Sequence, residues 1–99
     1  MTIEEIRNKI RQRKYSFSDH SVKRMIKRNV TRQEVESTIL TGEIIEEYPD
    51  DKYSPSCLIY GKTEYGRDLH VQISLSPIVV IITVYEPDRE EWVDCKIRR

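Results

Sequence analysis

The sequence predicts an α+β domain in which three short N-terminal helices precede a mostly antiparallel, four-stranded sheet. Three observations carry this reading. Apolar residues recur at helical spacing up to Gly42 and at strand spacing beyond it. Two capping boxes, Thr2-Ile-Glu-Glu5 and Thr31-Arg-Gln-Glu34, open helices in the first half only. β-Branched residues crowd the second half, above all from Ile78 to Tyr85. Helices first and strands after is the α+β pattern.

The first helix starts at Thr2, buries a stripe of Ile3, Ile6 and Ile10, and fades near Tyr15. The second is capped by Ser16 or Ser18 and turns Val22, Met25, Ile26 and Asn29 to one apolar side. Its opposite face carries His20, Lys23, Arg24, Lys27 and Arg28, and Asn29 ends it in a left-handed conformation. In the third, Val30 staples to Val35, Ile39 and Leu40 add to the buried side, and Gly42 is the C-cap.

Glu43–Tyr48 then reads as a short strand ended by Pro49-Asp-Asp, with a polar loop to Pro55. A second strand begins at Cys57 and turns at Thr63-Glu-Tyr-Gly66, where Gly66 accepts a positive φ. Asp68–Leu75 alternates, with Leu69, Val71, Ile73 and Leu75 inward and His70, Gln72 and Ser74 outward. Ser76-Pro77 marks a turn. Ile78–Tyr85 is the central strand, with Thr83 and Tyr85 opposite Val80, Ile82 and Val84. Trp92 ties a short tail to the body, and the basic end Lys96–Arg99 frays.

A chain of 99 residues favours one domain over 1–99. Two cysteines without a CxxC pair point to a reducing, cytoplasmic setting. No signal-peptide pattern opens the chain, and Ile78-Val-Val-Ile-Ile is too short to span a bilayer, so no membrane contact is expected. Net charge is zero but segregated. Residues 1–33 hold ten Lys/Arg against three Asp/Glu, and residues 34–56 hold seven acids against one Lys. Such a split either attracts a polyanion to one side or lets the two segments face each other in the fold.

The chemistry-bearing residues fall in two groups. On the second helix, His20, Arg24 and Arg28 follow one another at i,i+4 spacing. Arginine grips phosphate and histidine exchanges protons near neutral pH, which is what phosphodiester cleavage needs. The plain alternative is a solvated face on which His20 caps or packs and Lys23 and Lys27 are surface residues. On the sheet, His70 shares the polar side with Tyr85 if their strands pair, and Arg67 adds charge or guards an edge. His20, His70, Cys57 and Cys95 match no short metal-ligand spacing, so no metal or other cofactor is expected. No phosphate-binding glycine loop, nucleophile elbow or HExxH motif is present.

The run from Tyr15 to Arg28 (YSFSDHSVKRMIKR), then Val30-Thr-Arg-Gln-Glu-Val35, resembles the domain-of-unknown-function 4258 family. So do Gly42-Glu-Ile-Ile-Glu-Glu-Tyr-Pro-Asp50, Pro55-Ser-Cys-Leu58, Leu69-His-Val71, Ile82-Thr-Val-Tyr-Glu-Pro-Asp88 and a closing Trp92. That family is similar to toxins of the RelE/ParE and MqsR type, often encoded beside small zinc-finger antitoxin-like proteins. The resemblance implies a RelE-like helix-then-sheet fold and metal-independent cleavage of messenger RNA by basic groups and a tyrosine. By that resemblance the acting residues are His20, His70 and Tyr85 for catalysis and Arg24 and Arg28 for RNA binding; Lys23, Lys27 and Arg67 join the RNA-binding set on their charge and position alone. Such toxins are usually basic overall, so the acidic middle must lie away from any RNA groove.

Two functions therefore stand side by side. One is a toxin-like, metal-independent endoribonuclease in which one histidine takes the 2′-hydroxyl proton and the other, or Tyr85, assists the leaving group. The other is a non-catalytic interaction module or degenerate toxin that binds a protein partner or forms a homodimer.

Overall fold

In the computed structural model, residues 2–52, 54–75 and 77–99 are described. Tyr53 in the expected loop and Ser76 in the expected turn lie outside them. Helix α1 (Ile3–Arg11) opens on the Thr2 capping box and buries Ile6 and Ile10. It stops short of Tyr15 because Arg13 takes a left-handed φ of 57°.

Tyr15–Phe17 is then strand β1, where the sequence led us to expect only the run-in to a helix. Alternation in Tyr-Ser-Phe turns both aromatics to the core and leaves Ser16 exposed. Ser18 caps α2 (Asp19–Arg28), and Asn29 ends it in the left-handed conformation. Helix α3 (Arg32–Thr41) opens on its capping box, with Val30 and Val35 both in the core. Gly42 is the C-cap, but its φ of −86° is ordinary. Glycine is required there by close approach: a Cβ would lie 2.3 Å from the Tyr60 carbonyl oxygen and 2.4 Å from that of Thr38.

Strands β2 (Glu43–Tyr48), β3 (Ser56–Lys62), β4 (Asp68–Ser74) and β5 (Val79–Tyr85) form an antiparallel ladder. Gly66 turns β3 into β4 with φ 82°. β1 adds to β5 in parallel, pairing Tyr15 with Val79 and Phe17 with Ile81. The expected four-stranded sheet is thus five-stranded and mixed, in the order β1-β5-β4-β3-β2. A three-residue strand paired with a segment far along the chain leaves too short a local pattern to read.

Helices α1 and α3 cover one face, over Ile59, Leu69, Val71, Ile73, Ile81 and Val84. β5 does not alternate throughout. A register irregularity lies between the pairs Gln72↔Thr83 and Ile73↔Ile81, and Ile82 falls between them. Val79, Ile81 and Val84 are therefore buried, and Val80 and Ile82 are not in the core as the alternation had suggested.

α2 packs against β5, the strand next to the β1 edge. Its phase differs from the amphipathic expectation. Ser21 is its buried residue, whereas Val22 is 42% and Ile26 76% exposed. The cause is the cap. Ser18 donates its amide to Ile81 O at 3.0 Å and its hydroxyl to Ile82 O at 2.8 Å, so serines lie closest to the sheet. Two arginines close the helix ends from afar. Arg7 donates to Ile39 O and Gly42 O of α3. Arg67 donates to Arg28 O and Asn29 O of α2.

The basic C-terminus does not fray. β6 (Trp92–Val93) and β7 (Ile97–Arg98) form a two-stranded ribbon over the other sheet face. Arg98 pairs with Glu46 at 3.1 Å and Lys96 with Glu43 at 3.0 Å, so charges on β2 hold what propensity alone would leave loose. Among the described residues, no helix is long and apolar enough to cross a membrane.

Candidate functional site

Strand register brings His70 between two tyrosines. Tyr60 pairs with it from β3 and Tyr85 from β5. The ring centroids are 5.9 Å from Tyr60, 5.2 Å from Tyr85 and 4.5 Å from Trp92 of the ribbon, all edge-on. His70 is 0% exposed.

Both ring nitrogens are engaged. Nε2 lies 2.6 Å from Cys95 O, and a carbonyl only accepts, so Nε2 carries the hydrogen. In the neutral ring Nδ1 is then an acceptor, and the Tyr85 hydroxyl at 3.2 Å donates to it. Burial lowers the His70 pKa below its ordinary value, partly opposed by the Cys95 carbonyl. Burial also pushes Tyr85 up to about 12. Tyr60 is raised by burial and by its hydrogen bond to Asp68. The cluster is therefore an uncharged histidine between un-ionised phenols, under an indole.

The ribbon that seals it has its own anchors. Glu46 accepts from Tyr48 and from Arg98, and the Arg98 guanidinium lies 4.6 Å over the Trp92 ring. Asp94 and Cys95 both have positive φ, and Lys96 N donates to Val93 O at 3.0 Å, a primed turn built without glycine. That turn aims the Cys95 carbonyl at His70. Glu46, Arg98, Tyr60 and Asp68 were missed from the sequence because no local spacing joins the tail to β2 and β3. The basic tail beside an acidic strand was the only available signal.

The second group is on α2. His20, Lys23, Lys27 and Arg28 are exposed and Arg24 is half-buried. The Arg24 Nε is buried without a hydrogen-bond partner among the described residues. Arg67 stands apart from them. Besides the α2 carbonyls it pairs with Glu34 at 3.4 Å and Glu86 at 3.1 Å, so its guanidinium is engaged within the fold.

His70 and Tyr85 thus meet, but no hydrogen bond or ring contact joins them to His20, Arg24 or Arg28 among the described residues. Sheet order also separates the charges: basic α2 lies along β5, and acidic β2 is the far edge strand. Among the described residues, no group of three or more His, Cys, Asp or Glu is placed to hold a metal ion. Burial raises the Cys57 thiol to about 11, and the Cys95 thiol is raised as well.

The family model described as a domain of unknown function, DUF4258, matches residues 17–86, and the chain belongs to that family. The match spans α2, α3 and strands β2 to β5, and leaves α1, most of β1 and the C-terminal ribbon outside. No curated protein and no solved structure matches the chain.

Proposed function

We propose that this member of the DUF4258 family is a non-catalytic binding module for a protein partner. The observation behind this reading is the state of His70: wholly buried, uncharged, with both nitrogens in use beneath the ribbon. A general base must reach the proton it removes, directly or through one water. His70 offers no such approach, and no hydrogen bond or ion pair joins exposed His20 to a group that could share the work among the described residues. As a degenerate toxin of the RelE/ParE and MqsR type, such a module would hold a small zinc-finger antitoxin-like protein in the cytoplasm without cutting RNA. The test is incubation with single-stranded RNA, with and without EDTA, from mildly acidic to mildly alkaline pH. The expected result is intact RNA. EDTA-resistant cleavage to 2′,3′-cyclic phosphate ends, lost in His20→Ala or His70→Gln, would overturn the reading.

A second reading, the metal-independent endoribonuclease, draws support from charge placement. The acidic strand is at the far edge from α2, so it does not oppose RNA there. The Arg24 Nε is buried without a hydrogen-bond partner among the described residues, and turning the guanidinium outward to a phosphate oxygen would satisfy it. In this reading Arg24 and Arg28 hold phosphate, Lys23 and Lys27 add positive field, and His20 exchanges the proton. His70 and Tyr85 would take part only with the ribbon displaced. Its signature is RNA binding that weakens steeply with salt, accompanied by cleavage.

A further inference from the structure

We infer that the apolar groove beside α2 docks an acidic amphipathic helix of a protein partner. This rests on the binding-module reading and names the surface and the chemistry of its occupant. The groove has a volume of about 400 Å³ and is lined by Phe17, Val22, Met25, Ile26, Asn29 and Val30. Scattered exposed aliphatic residues need no explanation. Here two of them, at i and i+4 of one helix, are continuous with Phe17, Met25 and Val30 at the margin of the core. That is the layout of an anchor surface rather than of stray residues.

Charge selects the occupant. Lys23 and Lys27 each follow a stripe residue by one position, and neither makes an ion pair among the described residues. At the β1 side the Arg32 guanidinium lies 5.5 Å over the Tyr15 ring, which itself packs edge-on against Phe17. Two acids are nearby. Asp19 sits in the first turn of α2, and Glu36 is already engaged by Tyr15 and Arg32. Glu36 is matched by Arg32, and Lys23 and Lys27 outnumber Asp19 beside the apolar lining residues. The complement of this surface is a segment with aliphatic anchors flanked by Asp or Glu. A helix supplies anchors at i, i+4 and i+7 on one side and acids beside them. RNA supplies the acids without aliphatic anchors. A second copy fits less well, because its acidic β2 is a strand whose Glu43 and Glu46 are held by Lys96 and Arg98.

The experiment titrates the isotope-labelled full chain, followed by amide NMR, with a synthetic helical peptide bearing Leu at i, i+4 and i+7 and flanking Glu. Shifts should map to Phe17, Val22, Ile26 and Val30 and should weaken with salt. Ile26→Glu should bind at least about tenfold more weakly, as expected for an anchor residue. Ile78→Glu, which alters another exposed isoleucine (63% exposed), should bind as the parent does. Equal binding of a Lys-flanked or a Leu→Ser peptide would overturn the inference. So would shifts confined to another surface, no binding at millimolar peptide, stronger displacement of the same resonances by an RNA oligomer, or self-association that occupies the groove. Loss of peptide binding with RNA left intact would remove this groove and leave the binding-module reading in place. RNA cleavage would remove that reading whatever the peptide does.

Discussion

Replacing His70 by Leu tests the sealed cluster directly. Leucine keeps an apolar side chain in the space but removes both hydrogen bonds. The Cys95 carbonyl loses its donor at 2.6 Å and the Tyr85 hydroxyl its acceptor at 3.2 Å. Each loss costs about 0.5–1.5 kcal/mol, and more if the partner stays buried and unpaired. The edge-on contacts with Trp92 and Tyr85 add about 0.5–1.5 kcal/mol each beyond area. Together the expected destabilisation is about 2–6 kcal/mol, a large part of the stability of a domain this size. Urea denaturation followed by Trp92 fluorescence reads it, because Trp92 is the sole tryptophan. The pH dependence adds a second readout. His70 has a folded pKa below its ordinary 6.5, so between those two values the unfolded chain binds the extra proton. Its contribution is complete above about 6.5 and is lost as pH falls from there towards the folded pKa. The parent should lose stability in that window, and His70→Leu should lack that component of the slope. A cost under about 1 kcal/mol, or an unchanged acid slope, would refute the arrangement described for His70.

Gly42→Ala should cost about 1–3 kcal/mol or prevent soluble expression, since its Cβ meets two backbone carbonyls; thermal unfolding measures this. The Cys57 thiol, with a pKa pushed up to about 11, should resist a thiol reagent at neutral pH in the native protein and react once urea unfolds it. Arg98→Ala should cost about 1–2 kcal/mol through the Glu46 pair and the Trp92 ring. Faster hydrogen exchange should then appear in the ribbon amides and not in α1.

What the sequence made legible was mostly local. Thr2 and Thr31 cap their helices through residues three positions away, and Gly66 takes its positive φ, because those devices are complete within a few residues. The meeting of His70 and Tyr85 was also legible, since alternation places both on one face once β4 and β5 pair. Full burial of His70 was not. It depends on the tail returning over the sheet, where buried Trp92 packs on His70 and Lys96 and Arg98 meet Glu43 and Glu46 across about half the chain. The phase of α2 misled for a related reason. Val22 and Ile26 look like the buried stripe, but the hydrogen bonds of Ser18 to β5 turn Ser21 inward instead.

The segregated charge has a different meaning at each edge of the sheet. At the β2 edge, the acids face the basic ribbon, so Glu43 and Glu46 are matched within the fold. Where the acidic segment reaches α3, Glu34 and Glu36 are matched by Arg67 and Arg32. At the opposite edge α2 has no such counterpart: Lys23 and Lys27 stand beside exposed Val22 and Ile26 without an ion pair among the described residues. A fold that pairs Glu34, Glu36, Glu43 and Glu46 internally and leaves a basic, apolar-floored helix in solvent has its unmet complementarity there. The chemistry of a partner is therefore better sought along α2 than at the buried histidine, although the histidine is the more reactive residue type.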